Sequence, residues 1–116
     1  MAETIFSKII RKEIPANIVF ENDDVLAFRD IRPQAPTHIL IIPKFDEISK
    51  TLDINGSKHS ILLGKLFDAA NEIAKKEKIS ESGFRLVINC GPDAGQEVYH
   101  LHMHLLGGRK MNWPPG

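Results

Sequence analysis

The segment "YHLHMHLLGG", from Tyr99 to Gly108, sets histidines at every second position with apolar residues between them. The histidines are His100, His102 and His104, and the apolar residues are Leu101, Met103 and Leu105. In a strand, alternate side chains leave the same face about 6.6–6.8 Å apart. The segment therefore predicts a strand with three imidazoles on one face and an apolar face turned into the core.

Composition describes the setting of this strand. The 116 residues are 42% hydrophobic and 26% charged, which is typical of one globular domain. Fifteen basic residues balance fifteen acidic ones, so no long-range field favours nucleic acid or a membrane surface as a partner. The lone cysteine, Cys90, and the absence of a signal-peptide pattern predict a cytoplasmic protein, with the nucleus as an alternative.

The residues that precede the histidines predict a short helix and three strands. Thr4 is placed to cap the helix. Strands at 17–21 and 24–29 form a hairpin, and a third strand lies between Pro36 and Pro43. This third strand is apolar on both faces over most of its length, so we expect both faces to be covered.

The rest of the chain predicts one long helix and two more strands. Ser57 is placed to cap a helix that continues to about Ile79. Strands at 84–90 and 98–106 follow, separated by the glycine-containing loop 91–97, "GPDAGQE". The predicted fold is α+β: a five-stranded, mostly antiparallel sheet with one long and one short helix.

Residue types alone leave three interpretations of the histidine face. It could be a polar surface, although solvent faces are ordinarily filled with other residue types. It could bind zinc, with Cys90 or His38 as further donors. Zinc ligand nitrogens sit roughly 3.4 Å apart, whereas the first and third histidines start about 13 Å apart, so at most two of the three could share an ion.

The third interpretation is an active site for phosphoryl or acyl transfer. Neutral imidazole attacks such a centre through one ring nitrogen when the other nitrogen is held as a donor, and a neighbouring imidazole can pass a proton to the leaving group. Backbone amides of the 91–97 loop could neutralise phosphate oxygens. Such chemistry calls for no metal or other cofactor.

The motif "HLHMHLL" resembles the signature of the histidine triad (HIT) superfamily of nucleotide hydrolases and transferases. "TIFSKIIRKEIPA", "DIRPQAPTHILIIPK", "GQEVYHLHMHLLGG" and the terminal "WPPG" are similar, in order and spacing, to the Hint branch of that superfamily. The resemblance covers nearly all of residues 1–116 and implies a single HIT domain; only residues 45–83 are generic.

This resemblance implies a homodimer that hydrolyses purine nucleoside 5′-phosphoramidates, such as AMP linked to an amine. His102 would be the nucleophile that carries the nucleoside monophosphate covalently before water releases it. His104 would contact phosphate or leaving group, while His100 and His38 would orient and tune the site. In the family, the second ring nitrogen of the nucleophile donates to a backbone carbonyl.

Further residues match the family's nucleotide-binding positions. Asp30 would hold the ribose hydroxyls beside Ile31, and Trp113 would reach the site of the partner subunit. The apolar base slot would be formed by Ile5, Phe6, Ile9 and Phe28, and the phosphate surroundings by Asn89, Gly95, Gln96 and Glu97. Residue types alone, without the family resemblance, would assign Asp30 to a turn, and His38 and the apolar residues to the core. They would assign Asn89 to a strand end and Trp113 to a disordered tail.

Glu97 departs from the Hint pattern, which commonly has a small hydroxyl residue there. A carboxylate cannot donate to phosphate unless it is protonated, so Glu97 either points outward or meets a basic leaving group. The competing functions are a non-catalytic nucleotide-binding or scaffold protein, a zinc-binding regulator, and a dinucleoside polyphosphate hydrolase of the same superfamily.

Overall fold

The computed structural model describes residues 3–45 and 47–116. The helices are α1 (Ile5–Ile10) and α2 (Ser60–Lys76), and the strands are β1 (Ile18–Glu21), β2 (Val25–Arg29), β3 (Thr37–Pro43), β4 (Phe84–Val87) and β5 (Met103–Gly107). Two single 3₁₀ turns lie at Thr51–Asp53 and Pro92–Ala94. Across the described ranges, no helix is long and apolar enough to cross a membrane.

The five strands form one sheet in the order β1-β2-β3-β5-β4, and all four neighbouring pairs are antiparallel. The predicted α+β fold is therefore confirmed. β5 lies between β3 and β4, so the last strand of the chain occupies an interior position. In this register Leu40 of β3 lies opposite His104 of β5. β4 is an edge strand, with one side free of strand partners in the described chain.

The two faces of the sheet are covered by different layers. α2 packs on one face, where its Leu66, Ala70 and Ile73 join Ile39 and Ile41 of β3 in the main core. The other face carries a smaller cluster under α1, built from Phe6, Ile9, Leu26, Phe28, Leu40 and Ile42. All seven residues of β3 are buried, which confirms the prediction that both of its faces are covered.

Local hydrogen bonds define where the helices begin and end. Thr4 caps α1 as predicted, and its side chain and that of Ser7 form a reciprocal capping box. α2 begins at Ser60, three residues after the predicted cap: the Ser57 and Lys58 amides donate to the Asn55 side chain, in a turn that precedes the helix. The prediction that Ser57 caps α2 is wrong, because the Asn55 turn delays the start of the helix and His59 takes the N-cap position.

α2 also ends earlier than predicted, at Lys76 instead of about Ile79. Lys78 adopts a left-handed φ of 62°, its amide donates to the Lys75 carbonyl and the Ile79 amide donates to the Ala74 carbonyl. These two hydrogen bonds form a Schellman motif, which reverses the chain. The apolar pattern reaches Ile79 because Ile79 folds back onto the core.

The predicted strand at 98–106 is only partly correct, since β5 begins at Met103. His100 and His102 lie before it, and the amide of Leu101 donates to Ile48 in the segment after β3. The His100 carbonyl accepts a hydrogen bond from the His102 ring, so it is not used in the sheet. Alternation of the side chains nevertheless continues through this extended approach. β4 similarly ends at Val87, three residues before the predicted boundary at 90.

Candidate active site

A cavity of about 640 Å³ opens on the α1 face of the sheet, beside His102 and His104. The predicted site residues that line it are Ile5, Phe6, Ile9, Phe28, Asp30, Ile31, Asn89, Gly95, Glu97, His102 and His104. The fold brings these residues together from α1, β2, the loop after β2, the loop after β4 and the histidine segment. The cavity therefore joins an apolar end to a pair of imidazoles.

His102 is held as a neutral ring with one nitrogen free for chemistry. Its Nδ1–H donates to the His100 carbonyl over 2.7 Å, and the residue is only 7% exposed. Burial lowers the pKa of His102 below its usual value, while the His100 carbonyl and the Asp30 carboxylate oppose that shift. With the proton on Nδ1, the lone pair of Nε2 is the nucleophilic position of the ring.

A chain of hydrogen bonds defines the tautomers of His38 and His104. The backbone N–H of Gln34 donates to His38 Nδ1 over 3.0 Å, so neutral His38 carries its proton on Nε2. That Nε2 lies 2.9 Å from His104 Nδ1, which must accept, so His104 carries its own proton on Nε2. His104 thereby presents an N–H donor on the side of its ring away from His38.

The electrostatics of this pair favour neutral rings. Burial, followed by the proximity of His102 and His38, lowers the pKa of His104 to about 4, although Asp30 acts in the opposite direction. Burial also lowers the pKa of His38, against the raising influence of Asp30, whose Oδ2 lies 3.5 Å from His38 Nε2. At neutral pH the site therefore holds an uncharged nucleophile and an uncharged donor.

His100 and His38 do not line the cavity. His100 is fully buried, and its Nε2–H donates to the Pro43 carbonyl over 2.8 Å, which secures the segment before β5 against the end of β3. Its carbonyl in turn holds His102. His38 lies behind the cavity wall, where it is hydrogen-bonded to His104 and lies 3.5 Å from the Asp30 carboxylate. Both histidines are thus placed to orient rings that face the cavity.

Aromatic packing shapes the apolar end of the cavity. Phe6 meets Phe28 edge to face with ring centroids 5.4 Å apart, and it meets His102 in the same way at 5.1 Å. Phe6, Phe28 and Ile9 are at most 6% exposed, so core packing and lining of the slot are combined in the same side chains. Asp30 serves two purposes as well, because it lines the cavity while its Oδ1 accepts from the Arg32 amide in a turn.

The loop after β4 closes the other end. Gly91 and Gly95 adopt φ values of 85° and 83°, which glycine tolerates without strain. The Gln96 side chain does not face the cavity: its amide group donates to Ser49 and its oxygen accepts from the Gly91 amide. The Gln96 side chain therefore holds the loop together from within, and the expectation that Gln96 lies around the phosphate stays a prediction. Glu97 lines the cavity and is exposed.

The structure places Trp113 at the surface, away from the cavity, and adds further residues to the cavity lining. Trp113 is 82% exposed and lines no part of the cavity, so its predicted role at a partner's site stays a prediction. The additional lining residues include Ile14, Pro15, Ala16, Asn17, Arg32 and Val98. Sequence reasoning missed residues 14–17 because they follow α1 in an irregular segment with no periodic pattern. The available signals were their position right after the apolar helix and, for residues 14–16, their place in the Hint-like stretch "TIFSKIIRKEIPA".

One group of side chains in the described ranges could approach a metal ion: Asp30, His38 and His104. The Gln34 amide on His38 Nδ1 keeps the proton on His38 Nε2, the atom that would have to coordinate. The two imidazole nitrogens also lie 2.9 Å apart, closer than the roughly 3.4 Å of two nitrogen ligands on zinc. This arrangement fits a hydrogen bond and does not fit a zinc site. Cys90 is not in the group.

Comparison with known proteins gives a consistent family assignment. The HIT domain family model matches residues 11–111. A 14 kDa zinc-binding protein of Zea mays is 58% identical over 97% of this chain and 88% of its own length. Adenylylsulfatase HINT1 of Arabidopsis thaliana is 57% identical over 97% of this chain and 76% of its own length. Purine nucleoside phosphoramidase of Escherichia coli K12 is 55% identical over 94% of this chain and 90% of its own length.

A solved structure shares the fold closely. The HIT family hydrolase from Legionella pneumophila superposes with a TM-score of 0.94 at 54% identity, covering 98% of this chain and 100% of that one. At this level of identity the arrangement of strands and helices is expected to be common to both.

Proposed function

This protein belongs to the HIT domain family and is a hydrolase, and from that premise we propose that it is a purine nucleoside phosphoramidase that works through a nucleotidyl-histidine intermediate. The observation that carries the proposal is the 2.7 Å hydrogen bond from His102 Nδ1 to the His100 carbonyl. It leaves a neutral imidazole with an unprotonated Nε2 beside the cavity. A relative named purine nucleoside phosphoramidase supports the substrate class.

In the proposed reaction, His102 Nε2 attacks the phosphorus, and the P–N bond breaks as the leaving nitrogen takes a proton from solvent and departs as the amine. The Nε2–H of His104 donates a hydrogen bond to the leaving nitrogen or to a phosphoryl oxygen, where negative charge develops. Water then attacks the phosphorus, the bond between phosphorus and His102 Nε2 breaks, and the proton lost by that water returns to solvent as the nucleoside monophosphate leaves. One difficult displacement is thus replaced by two easier ones. No step requires a metal ion or other cofactor.

We assign the nucleoside to the apolar end of the cavity. The base would lie against Phe6, Phe28 and Ile9, whose apolar surfaces are preformed by packing. Asp30, at the cavity wall, would accept hydrogen bonds from the ribose hydroxyls while its turn keeps it in place. Asn89 and the backbone around Gly95 would surround the phosphate.

We also propose a homodimer located in the cytoplasm or nucleus. β4 is an edge strand, and its open side can add a strand from a second copy. The exposed apolar side chain of Ile88, at 37% exposure, directly follows it along the chain. In such a dimer the exposed Trp113 would be free to reach the neighbouring site.

Zinc binding is not part of the proposal, although a relative from Zea mays is named a zinc-binding protein. The tautomer imposed on His38 by Gln34 opposes coordination at the one cluster of the described residues that could hold an ion. A second candidate activity, hydrolysis of adenylyl sulfate, is favoured by the relative named adenylylsulfatase. It would use the same attack by His102 with a different leaving group.

The test is release of AMP from a tryptamine adenosine phosphoramidate in the presence of EDTA. We expect His102→Ala to lower turnover by about 10³-fold or more, because it removes the covalent route, while AMP binding measured by calorimetry stays within a few-fold. The matched control is His59→Ala, which removes a histidine outside the cavity. Adenylyl sulfate assayed in parallel ranks the two leaving groups.

Two results would contradict the proposal. One is turnover by His102→Ala at half the wild-type rate. The other is AMP binding without turnover of either substrate by the wild type, which would make a nucleotide-binding scaffold the better account. Loss of activity in EDTA would show that the reaction requires a metal ion.

A further inference from the structure

The loop between β2 and β3, residues 30–36, carries the backbone amide that determines the tautomers of His38 and His104. This loop is exposed along most of its length, and it does not belong to the buried part of the sheet. Its internal hydrogen bonds are few: the Arg32 amide donates to Asp30, and the Gln34 side chain donates to the Arg32 carbonyl. The position of the Gln34 amide therefore depends on contacts from outside the loop.

The segment after β5 provides those contacts. The guanidinium of Arg109 donates to the Gln34 carbonyl twice, from Nη2 over 2.9 Å and from Nε over 3.3 Å. Its Nη1 donates to the Lys110 carbonyl over 3.1 Å, which keeps the guanidinium in place. Hydrogen bonds from a charged donor are stronger than neutral ones, so this contact is the principal tether of the loop.

Gly108 brings the two segments together. Its φ is 91°, and a β-carbon built there would lie 2.9 Å from Cβ of Pro36. Only glycine allows the chain to turn at this point and to approach the loop so closely. The close packing of Gly108 on Pro36 places Arg109 over the Gln34 carbonyl.

We propose that Arg109 is a positioning residue of the hydrolase: it holds the Gln34 amide on His38 Nδ1, so that His104 presents its Nε2–H to the substrate. Without this tether the loop moves, the His38 ring loses its anchor and His104 Nδ1 loses its hydrogen-bond donor. His104 then populates both tautomers, and in one of them Nε2 bears a lone pair and cannot donate. The kinetic part of this inference rests on the proposed function, whereas the tautomer part does not.

The experiment compares wild type with Arg109→Ala, Arg109→Lys, Gly108→Ala and Lys110→Ala. Long-range ¹H–¹⁵N spectra at pH 7.5 report the tautomers, hydrogen exchange reports the Gln34 amide, and steady-state assays with the tryptamine phosphoramidate separate kcat from KM. Lys110→Ala is the matched control, because it removes the adjacent cation, whose side chain makes no hydrogen bond in the part of the chain that the structure describes.

In Arg109→Ala and Gly108→Ala we expect faster exchange of the Gln34 amide and a mixture of His104 tautomers. We expect kcat to fall about 5–10-fold with KM within 2-fold, short of the 10²–10⁴-fold typical of losing a catalytic donor outright. Arg109→Lys, which keeps a charged donor, should recover part of the loss, and Lys110→Ala should match wild type.

The inference is overturned if Arg109→Ala keeps the wild-type Gln34 exchange rate and a single His104 tautomer, whatever happens to kcat. A wild type that turns over no phosphoramidate would contradict the proposed function but would leave the spectra and exchange rates to decide the role of Arg109.

Discussion

The chemistry of a histidine depends on which ring nitrogen carries the proton. In this site three backbone groups determine the tautomers of His38, His100 and His102. The His100 carbonyl holds the proton of His102 on Nδ1, and the Gln34 amide holds the proton of His38 on Nε2. The Pro43 carbonyl holds the proton of His100 on Nε2. Because backbone groups cannot titrate near neutral pH, these assignments stay the same over the working range of the enzyme.

At the scale of single residues we predict that stability falls as pH decreases from about 6.5 to 4.5. The folded pKa values of His38, His102 and His104 are lowered, that of His104 to about 4, whereas an unfolded histidine titrates near 6.5. Between these values the unfolded chain binds more protons than the folded one, so the free energy of unfolding decreases with falling pH.

The measurement is the urea midpoint at pH 7.5, 6.5, 5.5 and 4.5. Carboxylates with a lowered pKa, such as Glu21, lose most of their contribution below their ordinary value of about 4.5, so the decline between pH 6.5 and 5.5 reports chiefly the histidines. His104→Asn should give a shallower decline than wild type. A urea midpoint that is constant over this window would show that the rings do not remain neutral in the fold.

At the scale of elements, both α-helices end in the same hydrogen-bonded motif, and in both a lysine takes the left-handed position of that motif. Lys12 after α1 and Lys78 after α2 each have a φ of 62°. In both cases the next amide reaches back five residues, from Glu13 to Lys8 and from Ile79 to Ala74. The left-handed position of such a motif is usually glycine, because a β-carbon is strained there.

Lys78→Gly is therefore expected to stabilise the protein by roughly 0.5–1 kcal/mol, as the relief of strain exceeds the extra entropy of the unfolded chain. The comparison is Lys76→Gly, two residues earlier at the end of the helix proper, which should destabilise by up to about 1 kcal/mol. Both free energies come from urea unfolding. Destabilisation by Lys78→Gly of the same size as Lys76→Gly would mean that Lys78 is not in the left-handed conformation.

At the same scale, periodicity predicted both α-helices and all five strands and the ends of β1 and β2, but it misplaced both ends of α2, the start of β5 and the end of β4. Boundaries depended on side-chain and backbone hydrogen bonds that a periodic pattern does not encode, such as the Asn55 turn before α2. The most informative error concerns the histidine segment: alternation continues from His100 to His104, yet only the last of them lies in β5. An extended segment keeps its alternation even when its backbone groups pair elsewhere.

At the scale of the whole molecule, the open edge of β4 leads to a prediction about assembly. We expect a mass of about 26 kDa by light scattering, or two copies of the 13.0 kDa chain, because an open edge strand followed by the exposed apolar side chain of Ile88 favours pairing with a second edge. A mass of 13 kDa at micromolar concentration would exclude the homodimer and, with it, the proposed role of Trp113 at a partner's site.

The sequence by itself determined the α+β class, the order of the elements and the residues with the right chemistry, because alternation and helical periodicity follow from backbone geometry. The resemblance to the HIT family indicated which of the histidines would meet a nucleotide. Only the tertiary structure decided which nitrogen of each ring is available, because His38, Gln34 and Arg109 act on His104 through contacts between segments distant in the chain. It also assigned Gln96 to the interior of its loop, since hydrogen-bond partners such as Ser49 become neighbours only when the chain is folded.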